Sequence, residues 1–245
     1  MAQALVPLKD LVQAKSRLAG VLSPSERRAL AQAMVEDVLS VLSGHPLISR
    51  VTLVSDDPGA GLLARQYGID YWPESALGCR GLNAVLACAS ARLLADRDET
   101  LVVLHGDLPL LGSAEVSAVL HRQRQLGGLV VGCDRQGVGT NLLAFDRACV
   151  PRFQFGQDSC QRHLAGARAA GLKTAVLRLP GIALDVDEPH DLAALLATTQ
   201  FARADRRGAI CTAGLLQGGP LGARIKLALA SLHPADGLSN EEQTS

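Results

Sequence analysis

What constrains this chain most is a repeated switch between two periodicities. Short aliphatic or β-branched runs, Leu5 to Leu8, Val51 to Ser55 and Leu101 to His105, are each followed by a longer stretch of helical period, Pro24 to Leu42, Gly59 to Tyr67 and Ser113 to Gln125. Strands that take turns with helices make βαβ units, whose crossovers keep the strands parallel and lay helices over both sheet faces. The expected fold is therefore α/β, with three layers around a mostly parallel, twisted sheet. The pattern continues with strands at 129–133, 141–145 and 173–179, a helix at 159–170 and a closing helix at 188–197. Ser23, Pro24 and Glu26 mark the first helix with an N-cap, a preset first turn and a capping-box acid.

Residues 1–199 read as one domain. From Gln200 the pattern thins into Arg, Gly and Ala, with one helix near Leu221 to Leu232 and a polar end, Gly237 to Ser245. Residues 200–245 are expected to form an appendage, disordered in part.

Composition removes several classes of function. Lys+Arg and Asp+Glu stand at 24 each, so the chain is no general binder of nucleic acid, and any polyanion must be held locally. No apolar run approaches the length of a membrane span, and Pro7, Lys9 and Asp10 break up the first one, which argues against a secretory signal. Six cysteines without a C-x-x-C pair read as reduced, partly buried thiols rather than a disulfide or zinc framework. Together these point to the cytoplasm.

Chemistry is concentrated in a few segments. Leu101 to His105 runs through Gly106 into Asp107 and a proline turn, and in open parallel sheets ligands bind beyond the carboxyl ends of strands. Asp107 could instead cap the following turn. A second acidic site, Leu184-Asp185-Val186-Asp187-Glu188-Pro189, reads as another strand end, where period-two alternation puts Asp185 and Asp187 on one face. One of its acids could start the closing helix, but hardly Asp185. Mg2+ takes one or two carboxylates along with phosphate oxygens and water, so three converging aspartates suit a metal-triphosphate complex. Lys9, Lys15 and Arg17 follow the first strand and could neutralise a triphosphate, although a solvated loop is the usual fate of such charges.

Gly81 and Asn83 open a helix where the backbone could approach a base and an amide could read it; a plain helix start explains them equally well. Phe155 to Ser159 precede a helix whose free amides could hold an anionic second substrate, while Asp158 and Gln161 form a potential capping box. Gly59, Gly61 and Ala64 match the dinucleotide fingerprint only nominally, since no acidic residue follows at the required distance.

The segments VPLKDLVQAKSRLAGVLSPSERRAL, GLNAVL, LHGDLPLL, GTNLL, FGQDSCQRHL and LPGIALDVDEPHDL, in this order between residues 5 and 198, resemble the guanylyltransferases that make the side-chain precursor of coenzyme F420. That family is similar in fold to the molybdenum-cofactor nucleotidyltransferases, of the nucleotide-diphospho-sugar transferase type. The resemblance implies a GMP transfer from GTP to 2-phospho-L-lactate, phosphoenolpyruvate or 3-phospho-D-glycerate. It implies Mg2+ on Asp107, Asp185 and Asp187, triphosphate on Lys9, Lys15 and Arg17, the guanine region at Gly81 and Asn83, and the acceptor at Thr140, Gly156 and Ser159. A homodimer is compatible with it. Gly106, the Gln157-Asp158 pair and Cys160 depart from the family pattern, which bears on the acceptor more than on the reaction. Two other readings stay open: a related transferase with a molybdopterin or sugar-phosphate acceptor, and a nucleotide-binding module without catalysis.

Overall fold

A computed structural model describes residues 1–11, 13–95, 99–201, 210–217 and 220–232. In chain order the elements are β1 (Ala2–Pro7), α1 (Pro24–Ser43), β2 (Ile48–Val54), α2 (Ala60–Tyr67), β3 (Asp70–Trp72), α3 (Leu82–Leu94), β4 (Thr100–Leu104), α4 (Ser113–Leu126), β5 (Leu129–Cys133), β6 (Thr140–Phe145), α5 (Ser159–Ala169), β7 (Thr174–Leu177), α6 (Pro180–Ala183), α7 (Pro189–Phe201), α8 (Ile210–Gln217) and α9 (Pro220–Leu232).

The seven strands form one sheet in the order β3-β2-β1-β4-β6-β5-β7. β1 pairs parallel with both β2 and β4, β2 with β3, and β5 with β7; β6 runs antiparallel between β4 and β5. The central strands are buried on both faces, so their residues divide between two cores. Ala4, Val6, Val102 and Leu104 pack towards α1, α2 and α4, with Val38, Leu39, Leu63 and Val116. Leu5, Leu101, Val103 and Phe145 pack on the opposite side with Val85 and Leu86 of α3 and Cys160 of α5. Near-continuous apolar strands are what such a doubly covered sheet requires.

The capping box expected at Ser23 forms: the Glu26 amide donates to Ser23 Oγ, and the Ser23 amide donates to Glu26 Oε2. Asp158 behaves differently. It precedes α5 in a left-handed conformation, φ 53°, with no side-chain cap, so the expected capping box at that helix is absent. The thiol expectation is corrected as well. Cys79 pairs with Cys88 and Cys133 with Cys160, because folding brings each pair of side chains together despite spacings that carry no framework signature; Cys149 and Cys211 are free.

Helices α8 and α9 pack against the rest of the chain. Leu216, Ile225 and Leu229 share a core with Leu18, Val21, Leu22, Met34, Leu184 and Val186. Arg224 donates to the Val21 carbonyl at 3.1 Å and pairs with Glu26 at 2.5 Å. Asp37 of α1, 3% exposed, accepts the first amides of α8 from Cys211 at 2.8 Å and Thr212 at 3.0 Å. The polar end, Gly237 to Ser245, lies outside the described residues, and with it that part of the disorder expected of 200–245.

Because Asp37 satisfies two amides that the helix itself cannot, Asp37→Ala should lower stability by about 1–2 kcal/mol, as losing a helix N-cap does. Urea unfolding with an unchanged midpoint would show that the contact contributes nothing.

Candidate functional site

The parallel run β3-β2-β1-β4 brings four strand ends to one edge, after Trp72, Val54, Pro7 and Leu104. The loop after β1 is tied into this edge: the Leu8 amide bonds the Val54 carbonyl, and the Leu11 amide donates to Asp57 Oδ2 at 2.8 Å. Asp57 also holds the loop after β2 through the Gly59 amide at 2.7 Å.

From this anchored loop Lys15 reaches inward. It adopts a left-handed backbone conformation, φ 55°, uncommon for a side chain with a Cβ, and its side chain is 8% exposed. Its ammonium donates to Asp107 Oδ2 at 2.5 Å and to Asp187 Oδ1 at 2.7 Å. Burial alone would push the Lys15 ammonium down, but the two carboxylates more than reverse this and its pKa is raised. Burial likewise pushes Asp107 up, and Lys15 outweighs it, holding the carboxyl below the usual range.

Asp185 stands in the same field. Burial, then the charge of Asp107, pushes its pKa up to about 6, and Asp187 adds to this. Its Oδ1 accepts from Asn141 at 3.1 Å, and the same amide donates to the Ile182 carbonyl. Arg17 lies at the rim, paired with Glu188 at 2.9 Å. Lys9, exposed, is close enough to lower the pKa of His105 by its charge.

The strand expected under Asp185 and Asp187 is not there. They lie in an extended loop between α6 and α7, because Pro180 starts a single helical turn and no neighbouring strand is available to pair. The alternation survives without the strand: Leu184 and Val186 are buried, 4% and 0% exposed, and the two aspartates face the other way. Among the described residues no three acidic, histidine or cysteine side chains close into a ready ligand cage; the Lys15 ammonium sits between two of the acids instead.

The site has two wings. Beyond β2 and β3, Asp56, Glu74, Ser75, Gly78, Cys79, Arg80 and Gly81 line a cavity of about 450 Å³. Gly81, with φ 82°, turns the chain into α3 there. Asn83 is committed to the backbone of Phe155, accepting from its amide at 2.8 Å and donating to its carbonyl at 3.2 Å.

In the other wing, Phe155 is clamped edge-on between His105 and His163, with ring centroids 5.0 and 4.9 Å away. Next to it Gly156, with φ 123°, has open space around its α-carbon. Ser159 Oγ accepts from the Thr140 amide at 2.8 Å, and Thr140 Oγ1 lies 3.0 Å from His163 Nδ1. Thr140, Gly156 and Ser159, distant in sequence, thus belong to one neighbourhood.

Sequence reasoning missed Asn141, which orients Asp185, and Asp191, whose carboxylate accepts the amides of Asp187 and Glu188 and pairs with Arg135 at 2.6 Å. The Asn after Thr140 and the Asp four residues after Asp187 were visible, but neither forms a pattern alone.

A mostly parallel sheet with carboxylates and a buried lysine gathered beyond one edge is the arrangement of a nucleotidyltransferase-like α/β protein. Solved structures agree on the fold. A structure from Desulfovibrio desulfuricans G20, described as a nucleotide-diphospho-sugar transferase, matches at a TM-score of 0.75 with 20% identity, over 93% of this chain and 97% of that one. A cytidylyltransferase from Leptospira borgpetersenii matches at 0.52 with 12% identity, over 95% and 94%.

The chain belongs to the family described as guanylyl transferase CofC like, whose model matches residues 2–204. A phosphoenolpyruvate guanylyltransferase from Conexibacter woesei is 38% identical over 217 residues, 87% of this chain and 94% of the relative. A 3-phospho-D-glycerate guanylyltransferase from Phenylobacterium zucineum is 38% identical over 195 residues, 78% of this chain and 88% of the relative.

Lys15 supplies the positive charge that Asp107 and Asp187 need. In Lys15→Met the two acids lose it, so millimolar Mg2+ should raise the melting temperature of the variant by several degrees more than that of the unsubstituted protein. Equal shifts would mean that the lysine does not stand in for a cation.

Proposed function

We propose that this protein transfers GMP from GTP to a small phosphorylated acid, phosphoenolpyruvate first among 2-phospho-L-lactate, phosphoenolpyruvate and 3-phospho-D-glycerate, in the formation of coenzyme F420. The observation that carries this reading is Lys15 bridging Asp107 and Asp187 at the sheet edge, in a chain of the guanylyltransferase family. Names of relatives supply the acceptor class.

The residues fit a divalent cation. Asp107 Oδ1 is buried without a hydrogen-bond partner, Asp185 is held near the other two acids by Asn141, and oxygen donors are what Mg2+ prefers. In our reading Asp107, Asp185 and Asp187 hold Mg2+, which when bound offsets phosphate charge. GTP lays its triphosphate along the loop after β1, where Lys9, Lys15 and Arg17 bring positive charge, and its base in the cavity beside Gly81. Asn83 acts there by fixing Phe155, which joins the base wing to the acceptor wing.

A phosphate oxygen of the acceptor, bound at Thr140, Gly156 and Ser159, attacks the α-phosphorus of GTP. One P–O bond forms to the acceptor as the bond from the α-phosphorus to the bridging oxygen breaks, and diphosphate leaves with its electron pair. The nucleophile is already anionic near neutral pH, so no side chain need remove a proton. This agrees with His105, which burial holds below its ordinary pKa and packs against Phe155.

A GTP-consuming reaction belongs in the cytoplasm. The paired cysteines withdraw the thiol argument for that location, and no helix among the described residues is long and apolar enough to cross a membrane.

The test is mass spectrometry of products from GTP, Mg2+ and each acid in turn. A product joining GMP to phosphoenolpyruvate through a diphosphate linkage is expected; no product with any of the three acids would refute the reading. Asp107→Asn should cut turnover by about 100-fold or more while leaving the fold intact, since it removes charge at the reacting phosphates and little volume. Diphosphate release at the unsubstituted rate would take Asp107 out of the reaction.

A further inference from the structure

The acceptor wing contains a hydrogen-bond chain whose direction is fixed by its first link. The backbone N–H of Gln154 donates to His163 Nε2 at 2.9 Å. A backbone amide can only donate, so Nε2 must offer its lone pair, and the proton of the neutral ring sits on Nδ1. Burial, with further contributions from Arg162 and His105, brings the His163 pKa down to about 4, against a hydrogen bond to the Ser159 carbonyl that opposes it, so the ring is neutral at pH 7.

Nδ1–H therefore faces Thr140 Oγ1 at 3.0 Å, towards which it can act only as donor. Thr140 Oγ1 thus accepts, and its own hydroxyl proton is left over. Ser159 Oγ accepts from the Thr140 amide at 2.8 Å, with the same result. Thr140 and Ser159 are 3% and 2% exposed, and among the described residues neither hydroxyl proton meets a protein acceptor.

We infer that His163 is a positioning residue that turns the Thr140 hydroxyl into an obligate hydrogen-bond donor, so that the acceptor wing takes only a group able to accept, a carboxylate or phosphate oxygen. The inference rests on the acceptor reading of Thr140, Gly156 and Ser159 above and deepens it. A ligand group that can only donate would leave the Thr140 hydroxyl proton without an acceptor, and a buried polar group left unpaired in this way costs more than a hydrogen bond contributes. Preference for an accepting oxygen thus follows from the protein's own donors, two links away from the ligand.

Two substitutions separate the ring's two contacts. His163→Gln can still accept from the Gln154 amide but removes the donor facing Thr140; His163→Asn keeps an amide donor near the Nδ1 position and gives up the Gln154 contact. Steady-state kinetics with GTP, Mg2+ and phosphoenolpyruvate should show the KM for the acid raised about 10-fold in His163→Gln, from a hydrogen bond to a charged group lost, with the KM for GTP unmoved. His163→Asn should restore most of the loss, and Thr140→Val combined with His163→Gln should be no worse than Thr140→Val alone.

Equal effects of Gln and Asn, or equal rises in both KM values, would overturn the inference and leave His163 a packing residue beside Phe155. His163→Phe replaces Gln in the comparison if the Gln variant does not fold. An unsubstituted enzyme that turns over normally beside an unaffected Gln variant sinks this inference alone, whereas an unsubstituted enzyme inactive with every acid sinks it together with the proposed function.

Discussion

Everything at the sheet edge depends on one buried cation. Asp107, Asp187 and Asp185 come from loops 78 to 80 positions apart in the chain, and like charges gathered in a low-dielectric site repel one another. Lys15 makes the arrangement tolerable by bonding two of the acids at once. The third acid, to which no lysine bonds among the described residues, has its pKa pushed up to about 6, by burial first and then by the charge of Asp107. A site balanced in this way holds its negative charges in register; under the proposed function, a divalent ion and a triphosphate would exchange with the lysine for these carboxylates.

The scaffold explains why that lysine is where it is. Its loop has little regular structure: a left-handed Lys15, one tight turn and a run to Ser23. Contacts along its length hold it. Asp57 bonds the Leu11 amide at one end, Leu18 is fully buried in the middle, and Arg224 of α9 bonds the Val21 carbonyl at the other end. Leu18 shares its core with Leu184 and Val186, the residues that alternate with Asp185 and Asp187. One apolar cluster therefore sets both the loop that carries the cation and the loop that carries two of the anions, and α8 and α9 complete it.

Much of this was legible in the sequence, and the limits are physical. Strands β1, β2 and β4 were readable because strands buried on both faces are apolar over most of their length, and the first helix because Ser23, Pro24 and Glu26 act within a single turn; the short edge strand β3, exposed or half-buried, carried no such signal. Asp185 and Asp187 were found for a reason that survived a wrong assignment: period two belongs to any extended chain with one side buried, and it needs no hydrogen-bonded neighbour, so alternation could not distinguish a strand from the loop that is there. The cysteine pairs and the Asp37 cap failed for the opposite reason. Their partners lie 9, 27 and 174 to 175 positions away, and spacing carries no information about contacts that only the finished fold creates.

The same distinction separates the residues that bear charge from those that direct it. Asp107 announces itself at a strand end, and Lys15 as one of three cations in the loop that follows the first strand. Asn141, Asp191 and His163 are ordinary polar residues in helices and strands, and their significance lies in what their hydrogen bonds leave unsatisfied in a neighbour. Asn141 spends its amide on the Ile182 carbonyl and one Asp185 oxygen, so Asp185 keeps a fixed direction while retaining lone pairs for another ligand. Charge can be read from composition and position, but the direction of a proton in a buried chain follows only from knowing which atom at its far end is able to do nothing except donate.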